Sequence, residues 1–148
     1  MANTRKNRKN KFSKKHSLKN KSLSFEKKMT CVFFEMLLMV KLYHWNTFSY
    51  ATHKATDEFY SSLNDNMDKF MEVLLGKTET RIDLKTTKNI NLFCVGDNEF
   101  KNKITEFKNY MHELSNENMG LKMGEDLLNI RDEIIADLNQ TKYLFRLS

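Results

Sequence analysis

Large apolar side chains recur at three- and four-residue steps between positions 24 and 45. The recurring residues are Met29, Val32, Phe33, Met36, Leu37 and Val40. This spacing is typical of the buried face of a helix, and Ser24 is a suitable N-cap. His44 follows Val40 by four positions, so it falls on the buried face, and we expect the neighbouring Trp45 to act as a packing anchor. The pattern predicts a first helix over 24–45.

A second and longer apolar pattern begins after Thr52. Its members are Phe59, Leu63, Met67, Phe70, Met71 and Leu74. They follow helical spacing, and no helix-breaking residue occurs before Gly76. Glycine commonly occupies the left-handed position just past a helix end, so we expect the helix to end there. The pattern predicts a second helix over 52–76.

Two further helical patterns follow a stretch of mixed character over 77–97. About twenty residues are enough to cross the length of a bundle, even when they are only partly extended. We predict a third helix over 98–117, a loop over 118–124 and a fourth helix over 125–145. Their apolar positions are Phe100, Ile104, Phe107, Met111 and Leu114, then Leu128, Ile134, Ile135, Leu138 and Leu144. Proline is absent and only 4 glycines occur, so we predict an all-α four-helix bundle with a long crossover between helices 2 and 3.

The positive charge of the chain is concentrated at its N-terminus. The chain has a formal net charge of +6, yet positions 1–22 hold nine basic residues and no acidic residue, which leaves a net charge of −3 on the rest. Such a segment has almost nothing to bury, so we expect residues 1–23 to be disordered, with affinity for phosphate groups. The candidate nucleic-acid-binding residues are Arg5, Lys6, Arg8, Lys9, Lys11, Lys14, Lys15, Lys19 and Lys21. A nuclear-localisation signal and a solvated tail are the alternatives.

Imidazole and carboxylate groups lie along one side of the second predicted helix. At 100° per residue, His53, Asp57, Asp68 and Glu72 fall within an arc of about 100°, beside the apolar stripe. Asp57 and Asp68 are nevertheless eleven positions, or roughly 16 Å, apart, whereas a metal ligand lies only about 2 Å from its ion. The residues therefore form two half-sites, which a second copy across a two-fold axis would bring together, with His44 as the remaining ligand.

Other readings of these residues are open. Acidic residues at the flank of an amphipathic helix are commonly only its solvated edge. A di-iron site inside one bundle needs Glu-x-x-His pairs, and no glutamate of this chain is followed by histidine three positions later. Imidazole and carboxylate ligands without thiolate suit iron, zinc or manganese. Cys31 and Cys94 form no metal-binding or disulfide pattern, which indicates a reducing compartment.

The motifs around these residues resemble those of a known family. The chain contains HWN, then H-x-x-x-D, then D-x-x-x-E. These motifs are similar to those of the Dps-like mini-ferritins, and the sequence of this stretch also resembles Dps-like proteins of large DNA viruses. The resemblance implies a ferritin-like four-helix bundle over 24–148, with a ferroxidase site at a two-fold interface. By this resemblance, one subunit supplies His44, His53 and Asp57, and its mate supplies Asp68 and Glu72.

The resemblance also implies a function. The protein would bind Fe(II), oxidise it with peroxide or dioxygen and pass the ferric product into a hollow shell of two-fold dimers, with zinc or manganese as alternative ions. The basic tail would bind DNA without sequence preference and so protect it from iron and peroxide. A nucleic-acid-packaging or virion-associated bundle without iron oxidation is the second hypothesis, and a scaffold bundle whose tail is an import signal is the third.

The location of the protein follows from the absence of membrane signals. The apolar run over 31–40 is too short to span a bilayer, and it follows an unusually long basic segment, unlike a secretory signal. We therefore expect an intracellular, non-secreted protein without a membrane partner. The resemblance suggests a virion, the host cytoplasm or the nucleus.

Overall fold

A computed structural model of the chain describes residues 24–85, 90–114 and 123–147. The predicted tail over 1–23 and most of the predicted loop over 118–124 lie outside these residues. Four helices are described: α1 (Phe25–Asn46), α2 (Tyr50–Thr78), α3 (Asp97–Glu113) and α4 (Glu125–Leu144). No strand occurs in the described ranges. The prediction of an all-α fold with four helices is confirmed.

The four helices share one apolar core. Helix α2 packs against both α1 and α4, and α3 packs against α4. Between α1 and α3 the contact is made by large aromatic rings: Tyr43 stacks on Phe100 with a centroid distance of 3.9 Å, and Phe33 meets Phe107 edge-on at 6.4 Å. The fully buried residues that represent all four helices include Met29, Phe33, Leu63, Phe70, Phe100, Ile104, Ile134 and Leu138. The predicted apolar stripes thus face one another.

A connection of three residues joins α1 to α2 and positions the site described below. The backbone N–H of Thr47 donates to the Tyr43 carbonyl oxygen at 3.0 Å as α1 ends. The Ser49 hydroxyl then accepts a hydrogen bond from the Thr52 N–H at 3.2 Å, which caps the first turn of α2. This cap starts α2 at Tyr50, two residues before the predicted start. The short turn sets the last turn of α1 beside the first turn of α2.

The predicted helix end at Gly76 is wrong. Helix α2 continues through Gly76 to Thr78, whose hydroxyl donates to the Leu74 carbonyl oxygen at 3.0 Å. Glu79 then takes the left-handed conformation (φ 50°) that we expected of the glycine. A glycine inside a helix costs only about 1 kcal/mol relative to alanine, so the hydrogen bonds and packing of the last turn outweigh it.

Helix α3 is shorter than predicted, and α4 has the predicted length to within one residue. Helix α3 ends at Glu113 rather than at 117. Leu114 leaves the helix with ψ 93° and is buried, and its carbonyl oxygen accepts a hydrogen bond from the Arg131 guanidinium at 2.6 Å. Burial of this leucine against α4 therefore redirects the chain before the predicted end.

Residues 79–96 connect α2 to α3, and their described part contains neither helix nor strand. The segment lies against the side of α1 in part, because both the backbone N–H and the side-chain amide of Asn91 donate to Glu35 Oε1, at 3.1 and 2.9 Å. Phe93 packs against the core from the same segment, and Lys103 lies 5.0 Å from its ring centroid.

Two further observations concern the cysteines and the hydropathy of the described helices. Cys31 is half-buried and Cys94 exposed, and both are free thiols. Among the residues described, no helix combines the length and the apolar character that a membrane crossing requires.

Candidate functional site

His44 and His53 face each other across the α1–α2 turn. The Nδ1 atom of each ring lies 3.1 Å from the backbone carbonyl oxygen of the other residue, and the rings stack with a centroid distance of 3.9 Å and an interplanar angle of 23°. A carbonyl oxygen only accepts hydrogen bonds, so these contacts assign the proton of each ring to Nδ1. In this tautomer each ring keeps the lone pair of Nε2, which is the arrangement typical of histidines that bind metals.

Thr56 supports the buried ring of the pair. His44 is only 7% exposed and Thr56 is fully buried. The Thr56 hydroxyl lies 3.1 Å from His44 Nδ1 and donates to backbone oxygen one turn back, at Thr52 (2.8 Å) or His53 (3.0 Å). It can therefore accept from the imidazole while its own proton is used within α2. Nδ1 of His44 thus contacts both the Thr56 hydroxyl and the His53 carbonyl oxygen.

Asp57 lies beside the buried histidine of the pair. Its Oδ1 lies 3.9 Å from His44 Nε2, and its side chain is more than half exposed. This separation is slightly below twice a metal–ligand distance of about 2.1 Å, so one ion would fit between the two atoms. The Asp57 side chain is exposed and therefore free to rotate. Such a rotation would narrow the angle between His44 Nε2, the ion and Asp57 Oδ1.

Asp68 and Glu72 lie farther along the same helix. They contribute to the lining of a depression between α1 and α2 of about 260 Å³, here called the α1–α2 hollow. Its apolar lining includes Phe34, Leu37, Met71, Leu75 and Ile82. Within the described ranges, no cluster of three or more His, Cys, Asp or Glu side chains is arranged to hold a metal ion. The structure places His44 in contact with His53 and 3.9 Å from Asp57 without forming such a cluster, and it leaves Asp68 and Glu72 apart from them.

Trp45 is not the packing anchor that we expected within its own protomer. The side chain is 67% exposed, because the inward orientation of His44 turns the next residue of α1 toward solvent. The Lys41 ammonium lies 5.9 Å from the Trp45 ring centroid and 4.6 Å from that of Tyr60. The surface beside the two histidines is therefore aromatic and cationic.

Tyr43 fixes the end of α1 from the core side. Its hydroxyl donates to Asp97 Oδ1 at 2.8 Å, at the first turn of α3. Burial and this hydrogen bond to a carboxylate raise the pKa of the Tyr43 phenol, so it remains neutral at physiological pH. The backbone that carries His44 is thus anchored to a second helix.

Sequence reasoning missed Thr56, the α1–α2 hollow and the exposure of Trp45. Thr56 was detectable, because it lies three positions after His53 and so one turn farther on the same side of α2. The α1–α2 hollow was not detectable from the sequence, because it depends on how α1, α2 and Ile82 pack together. The nine basic residues of the predicted nucleic-acid-binding tail lie outside the described part of the chain.

Four packed helices and no strand in the described ranges define the class of the protein, which is all-α. Residues 44–145 match the model of a family of unknown function, DUF5856, and the chain belongs to that family. The matched segment begins at His44 and includes all five candidate ligands. No curated protein and no solved structure matches the chain.

Proposed function

We propose that the protein is a Dps-like mini-ferritin that binds and oxidises Fe(II) at a site shared by two subunits. The observation that carries the proposal is the paired histidines: each ring uses Nδ1 for a backbone carbonyl and keeps Nε2 for an ion, and the carboxylate of Asp57 lies beside one of them. These residues leave room for further ligands, and Asp68 and Glu72 carry exposed carboxylates on the same side of α2.

A two-fold partner would supply the missing ligands. Asp57 and Asp68 are separated along α2 by roughly 16 Å, so one protomer cannot close both on one ion. An antiparallel second copy of α2 would set His53 and Asp57 of one chain opposite Asp68 and Glu72 of the other, twice in each dimer. The four helices and the long connection over 79–96 are compatible with a ferritin-like bundle, and such dimers would build the hollow shell.

The chemistry at this site follows from its ligands, with iron as the substrate. Two Fe(II) ions give one electron each to hydrogen peroxide, which takes up two protons and leaves as two water molecules. Carboxylates stabilise the Fe(III) that forms, because hard anionic oxygen ligands favour the higher charge, while the imidazoles complete the coordination. Dioxygen is the other oxidant in this proposal, and zinc or manganese are the other ions that the same ligands suit.

The basic tail supports the second part of the proposal, which is DNA binding. Nine basic residues without an acidic neighbour provide a salt-sensitive attraction to phosphates, independent of base sequence. Many tails on one assembly would act together and bind far more tightly than one. Iron oxidation close to the bound DNA would remove Fe(II) and peroxide before they react there.

The test compares two double variants of the same helix. Asp68→Ala with Glu72→Ala should abolish rapid Fe(II) oxidation, whereas Glu58→Ala with Asp65→Ala removes the same charge from exposed positions of α2 and should leave it intact. Both should retain a salt-sensitive shift of DNA, which deletion of residues 1–22 should remove. Wild-type iron oxidation in the first variant would reject the site. Absence of iron oxidation in the wild type, with DNA binding retained, would favour the packaging hypothesis.

A further inference from the structure

Helix α1 carries a row of exposed apolar side chains on the side that borders α2. Phe34, Leu38 and Trp45 are spaced by four and seven residues, so they share one face of the helix. They are 46%, 40% and 67% exposed, although most large apolar residues of the described helices are buried. Lys41 lies between Leu38 and Trp45 on this face, and exposed apolar side chains grouped on one face in this way mark a contact with another molecule.

The same face has a protrusion at one end and a depression at the other. Trp45 protrudes beside the His44–His53 pair, whereas the α1–α2 hollow has Asp68 and Glu72 in its lining. From the level of His53 to that of Asp68 is roughly 22 Å along α2, so Trp45 cannot reach the hollow of its own chain. The volume of about 260 Å³ is that of a space for a large side chain rather than for a cofactor.

The charge and the shape of this face of α1 and α2 indicate the same partner, a second copy of the chain. The Lys41 ammonium and the two imidazoles lie next to the protruding Trp45, and carboxylates belong to the lining of the hollow. A two-fold operation that brings His44 of one chain to Asp68 and Glu72 of another therefore brings Trp45 to the hollow as well. Since a two-fold contact is reciprocal, each dimer would contain two such insertions.

We propose that Trp45 of each protomer inserts into the α1–α2 hollow of a second copy of the chain and anchors the two-fold dimer before any iron is bound. The proposal rests on the shared site described under the proposed function. Large aromatic residues that fill pockets at the centre of an interface carry most of its binding energy. The insertion also sets the distance between the two halves of each iron site, because Trp45 is the immediate neighbour of His44.

Trp45 reports on its own environment, because it is the only tryptophan of the chain. The experiment follows its fluorescence emission and its quenching by acrylamide in metal-free protein over a range of concentrations, with the mass measured by light scattering. We expect blue-shifted, protected emission in the dimer and red-shifted, quenchable emission on dilution. In Leu75→Phe, which narrows the hollow, Trp45 should stay quenchable at concentrations where the wild type is protected.

A second measurement gives the strength of the anchor. Trp45→Ala should raise the dimer dissociation constant about 30-fold or more, the change typical of an interface hot spot. Tyr143→Ala removes a comparably exposed aromatic residue from α4 and should leave the constant unchanged. Unaltered far-ultraviolet circular dichroism will show that each variant is folded.

The outcomes separate this proposal from the proposed function. A dimer that oxidises iron while Trp45 remains quenchable would overturn the insertion and leave the shared iron site standing. A dimer with protected Trp45 that does not oxidise iron would uphold the insertion and reject the ferroxidase. A protein that stays monomeric at every concentration would overturn both.

Discussion

A site shared between two chains predicts that two inactive variants restore each other. One variant, His53→Ala with Asp57→Ala, lacks the imidazole half, and the other, Asp68→Ala with Glu72→Ala, lacks the carboxylate half. Each alone should be inactive, because both sites of its dimer lack one half. In a mixed dimer, one site combines both defects, and the other combines two intact halves.

The expected magnitude follows from the symmetry. When equal amounts of the two variants exchange subunits at random, about half of the dimers are mixed, and each of these has one intact site out of two. The initial rate of Fe(II) oxidation per protomer should therefore rise to roughly a quarter of the wild-type rate in the mixture, and to roughly half of it in isolated mixed dimers. A site formed by both halves of a single chain cannot produce this rise, because roughly 16 Å along α2 separates the two halves.

The assay needs the two variants to exchange completely. They are co-refolded or co-expressed with different affinity tags, and mixed dimers are isolated by successive purification on both tags before the rate is measured. A mixture of two differently tagged copies of the Asp68→Ala, Glu72→Ala variant is the control and should stay inactive. Verified mixed dimers no faster than the unmixed variants would refute sharing between subunits.

Two further predictions concern contacts that stabilise α2, the helix that carries His53 and Asp57. Ser49→Ala removes the hydroxyl that caps α2 and should lower the free energy of unfolding by about 1 kcal/mol, or the melting temperature by about 4 °C, in a thermal scan; an unchanged melting temperature would contradict the cap. The Lys77 ammonium, 2.6 Å from Asp126 Oδ1, and the Leu127 N–H lower the pKa of the Asp126 carboxyl. The charged carboxylate therefore stabilises the fold above the ordinary pKa of 3.8. This contribution is lost as the pH falls through the lowered pKa of the folded state. Asp126→Asn should therefore reduce stability at neutral pH, with a difference from wild type that shrinks in acid and in high salt; a difference that grows in acid would contradict the assignment.

The helices themselves could be predicted from apolar spacing because their buried faces are long and regular. The ends could not, because each depends on a contact from elsewhere in the fold. Gly76 is an ordinary helix terminator in sequence, yet the turn after it is tied to α4 by the ion pair of Lys77 with Asp126. Leu114 continues the apolar stripe of α3 in sequence, yet it leaves the helix to bury its side chain and to accept a hydrogen bond from α4.

The candidate site was also only partly predictable from the sequence. Helical geometry alone indicates that His53 and Asp57 lie on one side of α2 and that Asp68 is too far away to join them. It does not indicate that His44 reaches His53, because this contact depends on the three-residue turn capped by Ser49. The outward orientation of Trp45 was accessible to helical spacing, because the neighbouring His44 falls on the buried face of α1.

The paired histidines divide their ring nitrogens between two tasks. Nδ1 of His44 and of His53 holds the main chain of the opposite helix, whereas Nε2 remains available to an ion, so the two tasks never compete for one atom. Under the proposed function, iron would arrive and depart while the ends of α1 and α2 stay joined. Unlike a zinc finger, which collapses when its metal is withdrawn, such a receptor would persist between turnovers, already shaped for the next ion.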